Sequence, residues 1–134
     1  MINFDGQYFQ RIKFSSQQLG DHLTSAERDL YIAQDSDVSE VTFRFTYDAL
    51  IKLGITLIAH KGFKVRSKPG HHIMILEKLS QLLDDEDIAV FGNKMRQKRN
   101  TDLYSGGSLA SEKDSIEYLK FAESVFENAR KILS

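Results

Sequence analysis

The segment Val38–His60 constrains the fold more than any other part of the chain. Val41, Phe43, Phe45, Tyr47, Ala49, Leu50, Ile51, Leu53, Ile55, Leu57 and Ile58 leave it apolar on nearly every side, with no turn signal inside it. Strands rarely exceed about ten residues, so the length predicts a helix. A helix without a polar face belongs in the middle of a bundle or at a subunit interface. The single proline of the chain, Pro69, leaves room for long helices on either side.

The neighbouring segments supply the partners. From Phe9 the series Phe9, Ile12, Ser16, Leu19, Leu23, Ala26, Leu30 and Ala33 advances by threes and fours, which predicts one face of a long helix. Gln34–Asp37 ends it and offers Ser36 or Asp37 as the next N-cap. Lys61–Gly70 is a basic connector, followed by a short helix over His71–Leu83 with Ile73, Leu76, Leu79 and Leu83 on one side. The acidic run Asp84–Asp87 suits the first turn of the next helix. There Ile88, Phe91, Met95, Arg99 and Leu103 form a stripe that Gly106-Gly107 closes. A last helix starts near Ser111, with Asp114 three residues on, and buries Ile116, Leu119, Ala122, Phe126, Ala129 and Leu133. The expected fold is all-α: an antiparallel up-down four-helix bundle with one extra short helix, forming a single domain over residues 1–134.

Composition removes several chemistries. With no cysteine, thiolate metal sites, disulfides and thiol nucleophiles are excluded. A net charge of −1 leaves anion binding to local clusters. No apolar run reaches the roughly 18 residues of a membrane span, and MINFDGQYFQ has no secretory n-region, so a cytoplasmic protein without membrane attachment is expected. No metal site is expected: Asp84–Asp87 lacks the alternating ligands and turn glycine of a calcium loop, and His71-His72 have no third ligand at useful spacing. Gly-rich phosphate loops are absent too, and no cofactor is implied.

The polar residues at the end of the fourth predicted helix do carry chemistry. In MRQKRNTDLYSGG, Arg99 falls on the apolar stripe between Met95 and Leu103. A guanidinium buried there needs a carboxylate, a phosphate or an escape to water. Asp48, a carboxylate in the middle of the apolar helix, is a candidate mate; Lys52, four residues on, is an alternative partner for Asp48. Asn100 and Tyr104 follow Arg99, and the three together suit a phosphodiester. Arg96 and Lys98 add positive charge beside them. A second basic group, Arg66, Lys68, His71 and His72, lies at a predicted helix start, where anions bind readily; the plainer reading is a solvated loop with one histidine as a cap.

KMRQKRNTDLYSGG resembles the end of the third long helix of the HEPN family, marked by Arg, usually Asn next, and then His. YDALIK resembles the family's second helix, YLKFAESVFENARKIL its closing helix, and GFKVRSKPGHH the connector of a bacterial subgroup. The resemblance runs from about Leu19 to Leu133. It implies a four-helix bundle, a homodimer with facing Arg motifs, and a place in toxin–antitoxin or phage-defence systems. It carries Arg99 and Asn100 onto the family's Arg-Asn pair and Asp48 onto the second-helix acid. At the family's histidine this chain has Tyr104. A tyrosine of ordinary pKa, about 10, is a poor base near neutrality. The resemblance therefore implies binding of RNA, a nucleotide, or a nucleotidyltransferase or antitoxin partner. A metal-independent endoribonuclease, with Tyr104 or His72 handling protons, is the alternative, and a dimerisation module without ligand the third.

Overall fold

In the computed structural model the backbone is described for residues 2–105 and 111–133, and side chains for 2–101 and 111–133. Five helices carry most of it: α1 (Ser16–Asp35), α2 (Ser39–His60), α3 (His71–Leu83), α4 (Glu86–Ser105) and α5 (Glu112–Leu133). Two short strands, β1 (Phe9–Arg11) and β2 (Phe63–Val65), pair antiparallel, with Phe9 opposite Val65 and Arg11 opposite Phe63.

The all-round apolar segment is the central helix. α2 packs against α1, α3, α4, α5 and β2. Phe43, Tyr47, Leu50, Leu53 and Ile58 on it are at most 1% exposed. Its apolar surface is thus covered largely within one chain, and the dimer that such a helix suggested is not needed to bury it. Gly54 allows α3 to come close: a Cβ there would stand 2.5 Å from Ile75 Cγ2. Asp29 on α1, 4% exposed, is held by Lys52 Nζ of α2 at 2.8 Å. Lys52 therefore pairs across the helix interface with Asp29 rather than locally with Asp48.

The helical reading of Phe9–Ser15 is overturned. Phe9 belongs to β1 and is 2% exposed under the edge-on ring of Phe4, which also stacks on Phe63 at 4.3 Å. α1 begins only at Ser16, because Ser15 and Gln18 form a reciprocal capping box: Ser15 Oγ accepts from Gln18 N–H at 3.1 Å and Gln18 Oε1 accepts from Ser15 N–H at 2.8 Å. A period of three and four cannot distinguish Phe9 in a helix from Phe9 packed as a strand residue onto the same core. The connector is likewise more ordered than a basic loop. Its strand β2 is extended past both ends by Ile12 N–H to Gly62 O at 2.9 Å and Arg66 N–H to Tyr8 O at 2.6 Å.

Two cap expectations also change. Val38, not Ser36 or Asp37, is the N-cap of α2; Ser36 Oγ instead accepts from Val38 N–H at 3.1 Å. The acidic run is divided: Asp84 ends α3 in the left-handed conformation, Asp85 Oδ1 accepts from Asp87 N–H at 3.0 Å, and Glu86 and Asp87 fill the first turn of α4. At the last helix the expected cap holds, with Ser111 Oγ accepting from Asp114 N–H at 3.1 Å. Gly106-Gly107 and the Leu103 and Tyr104 side chains lie outside the described residues.

Candidate anion-binding site

The β1–β2 ladder fixes the connector so that it delivers α3 to α4 with its first turn facing the basic end of that helix. Arg66 Nε donates to Gly6 O at 3.1 Å, and Lys68 Nζ lies 4.7 Å over the Tyr8 ring. Gly70, the N-cap of α3, sits at φ +84°, a conformation that residues with a Cβ rarely adopt, so the chain turns sharply into the helix. The result is a cavity of about 410 Å³ between the connector, the first turn of α3 and α4. Lys68, His71 and His72 line it from one side, and Arg96 and Asn100 from the other. Ser67, Pro69, Gly70 and Ile73 also line it, and among the described residues no carboxylate contributes to it.

The two histidines are fixed in different ways. His71 Nδ1 is 2.7 Å from Lys68 O. A carbonyl can only accept, so Nδ1 carries the proton and, in the neutral ring, Nε2 has the free lone pair. His72 Nδ1 is 2.9 Å from the hydroxyl of Tyr47, which is fully buried on α2. Burial pushes the Tyr47 phenol up to about 12 despite the nearby positive charge of Arg99 and Arg96, so the hydroxyl keeps its proton. That proton needs an acceptor, which Nδ1 supplies. Burial, then the neighbouring His71, Arg99 and Arg96, lower His72 to about 4. His72 is therefore neutral at physiological pH, with its remaining proton on Nε2 as a donor.

The first turn of α3 adds further donors. His71 N–H bonds to Lys68 O and Met74 N–H to Gly70 O, but among the described residues the amides of His72 and Ile73 have no acceptor. Arg96 is half-buried, its Nε donating to Asn93 Oδ1 at 3.3 Å. Among the described residues that line the space, Ser67, Lys68, His72, Arg96 and Asn100 can donate a hydrogen bond or carry positive charge, whereas the Nδ1 proton of His71 is already given to Lys68 O. Such a lining attracts an anion with several acceptor oxygens, above all a phosphate.

The structure separates residues that adjacency in sequence had grouped. Arg96, Asn100, Lys68, His71 and His72 come together. Arg99 does not line the cavity; its guanidinium carbon lies 5.8 Å from the centre of the Tyr47 ring, a cation–π approach from the α4 side. It also acts on Asp48, whose carboxyl is raised by burial and partly drawn back by Arg99. Lys98 points elsewhere and bridges to Asp114 Oδ2 at 3.1 Å, tying α4 to α5. Arg66 serves the connector. Tyr47 was legible only as a core residue; the one signal of its role is that a phenol in so apolar a helix requires a polar mate. Ser67 carried no signal, and Ile73, read from the sequence as part of the apolar side of α3, is instead 40% exposed at the cavity wall.

Among the described residues, no group of three His, Asp or Glu side chains is placed to hold a metal ion, and no helix is long and apolar enough to cross a membrane. Compared with known families, curated proteins and solved structures, the chain matches none.

Proposed function

We propose that this protein binds a phosphate-bearing ligand, RNA or nucleotide, in the cavity at the start of α3, and that it is a HEPN-like four-helix module with α3 as the extra helix. The observation that carries the reading is a wall rich in donors: among the described residues, Arg96 and Asn100 from α4 face His72, His71 and Lys68 at the first turn of α3, where the His72 and Ile73 amides have no acceptor, across about 410 Å³. The site keeps the Asn100 of the Arg-Asn pair but draws its guanidinium from Arg96, one turn earlier, while Arg99 braces Tyr47. The same reading places the protein as a cytoplasmic homodimer in a toxin–antitoxin or defence setting, with an antitoxin or nucleotidyltransferase as partner. The exposed apolar side chains of Val90 on α4 and of Ile116 on α5, the latter expected from the sequence to be buried, leave apolar surface for a second copy to cover.

Calorimetry with nucleotides and short RNAs tests the binding. Affinity should fall as salt rises. Arg96→Ala should weaken it about tenfold, the size of one charge-assisted hydrogen bond. Unchanged affinity in Arg96→Ala would remove the site. A metal-independent endoribonuclease is the second reading, favoured by the free Nε2 lone pair of His71 in a residue that lines the cavity. It requires RNA cleavage by the purified chain that His71→Asn abolishes; equal cleavage by both proteins would refute it.

A further inference from the structure

A second cavity adjoins the first. It measures about 510 Å³ and its wall is mainly apolar, from Ile12, Phe14, Ile55 and Phe63, with Gln18 and His22 of α1 at its polar side. Ser67 and His71 line both cavities, so a ligand filling the two would pass along these residues. Given the phosphate site proposed above, on which this inference rests, we propose that the ligand is a nucleoside monophosphate unit. Its phosphate sits against Arg96 and the first turn of α3, and its planar base sits in the apolar cavity beside Phe14 and Phe63.

The division of chemistry supports this occupant. An inorganic phosphate has no use for the apolar cavity, and a purely apolar molecule has none for the basic one. A nucleotide joins a multiply charged group to a flat ring through a short sugar. The ring needs an apolar wall, which Phe14, Ile12 and Ile55 provide, with Phe63, itself stacked on Phe4 and covered by the Arg11 guanidinium, adding apolar bulk beside them. Its edge needs hydrogen bonds. Gln18 uses Oε1 on its own capping box, which leaves the amide NH₂ as a donor. His22, held edge-on to Phe14 at 5.4 Å, is a second polar group at that side. His71, pinned through Nδ1 to Lys68 O, holds the shared wall in place.

The test compares inorganic phosphate, ribose 5-phosphate, and adenosine and uridine 5′-monophosphates on the intact chain by calorimetry. At least one nucleotide should bind about tenfold or more tighter than ribose 5-phosphate, reflecting ring burial. Its base protons should show nuclear Overhauser effects to the Ile55 methyls and the Phe14 ring. His22→Trp, a half-buried position whose enlarged side chain would fill the cavity, should erase the gain while leaving phosphate binding unchanged. Equal affinity for ribose 5-phosphate and both nucleotides would overturn the base pocket and leave the phosphate site standing. No binding of phosphate or nucleotide would overturn both. If His22→Trp does not fold, the Overhauser effects decide: contacts from the base to other residues, or none, reject the proposal.

Discussion

Replacing Tyr47 by Phe isolates one bond of the site. The Tyr47 ring is fully buried, and Phe keeps its shape while removing only the hydroxyl that donates to His72 Nδ1 at 2.9 Å. Losing one such bond costs about 1 kcal/mol near pH 7, where His72 is neutral. The pH dependence follows from His72, held at about 4 in the fold against 6.5 when free. Between these values the unfolded chain binds a proton that the folded chain refuses, so stability is fully present above 6.5 and declines as pH falls toward 4. The full shift corresponds to about 3 kcal/mol. With the ring partly in contact with water, about 1–2 kcal/mol is the expected loss. In Tyr47→Phe the neutral ring has lost its donor, so His72 should protonate more readily and lose less stability in acid. The deficit of the variant at pH 7 should therefore shrink as pH approaches 4. Urea denaturation of both proteins across this range measures the gap, and contributions shared by the two chains cancel. A gap of constant size from about pH 7 to about pH 4.5, or none at all, would refute the assignment of Tyr47 as donor to a neutral His72.

Two substitutions test the frame that holds the site. Gly54→Ala brings a methyl 2.5 Å from Ile75 Cγ2 and 3.3 Å from Ile75 O, so it should destabilise by about 1–3 kcal/mol despite the better helix propensity of alanine; a raised melting temperature would contradict the close approach of α2 and α3. Asp29→Asn strips Lys52 of its buried partner and should cost about 2 kcal/mol in chemical denaturation, reduced from a fully buried pair because Lys52 reaches water. Wild-type stability in Asp29→Asn would show that the pair does not tie α1 to α2.

The helices were legible because their periodic apolar faces are local signals. α3 was read at its observed bounds, and α2 differs only at Val38, which is its N-cap. The strands were not legible, because three-residue strands such as Phe9–Arg11 and Phe63–Val65 are set by pairing with each other across the whole of α1 and α2. The Ser15-x-x-Gln18 box was visible in the sequence and would have placed the start of α1 correctly. For the site, charge density marked both basic clusters but not which members converge. Arg96 and Arg99 differ by three residues, yet one turns to the connector and the other to Tyr47. Lys98 was assigned to phosphate although a carboxylate at Asp114 satisfies it. Such choices depend on contacts between distant segments, as does the Tyr47–His72 bond.

The phosphate site itself is tested most directly by titrating the isotopically labelled protein with inorganic phosphate while following backbone amide resonances. Saturable shifts should concentrate at His72 and Ile73, whose amides have no acceptor among the described residues, with the Arg96 and Asn100 side-chain signals following at the same midpoint. If those amides stay still while phosphate is added, or move only along with exposed lysines elsewhere without saturating, the cavity at the start of α3 is not an anion site.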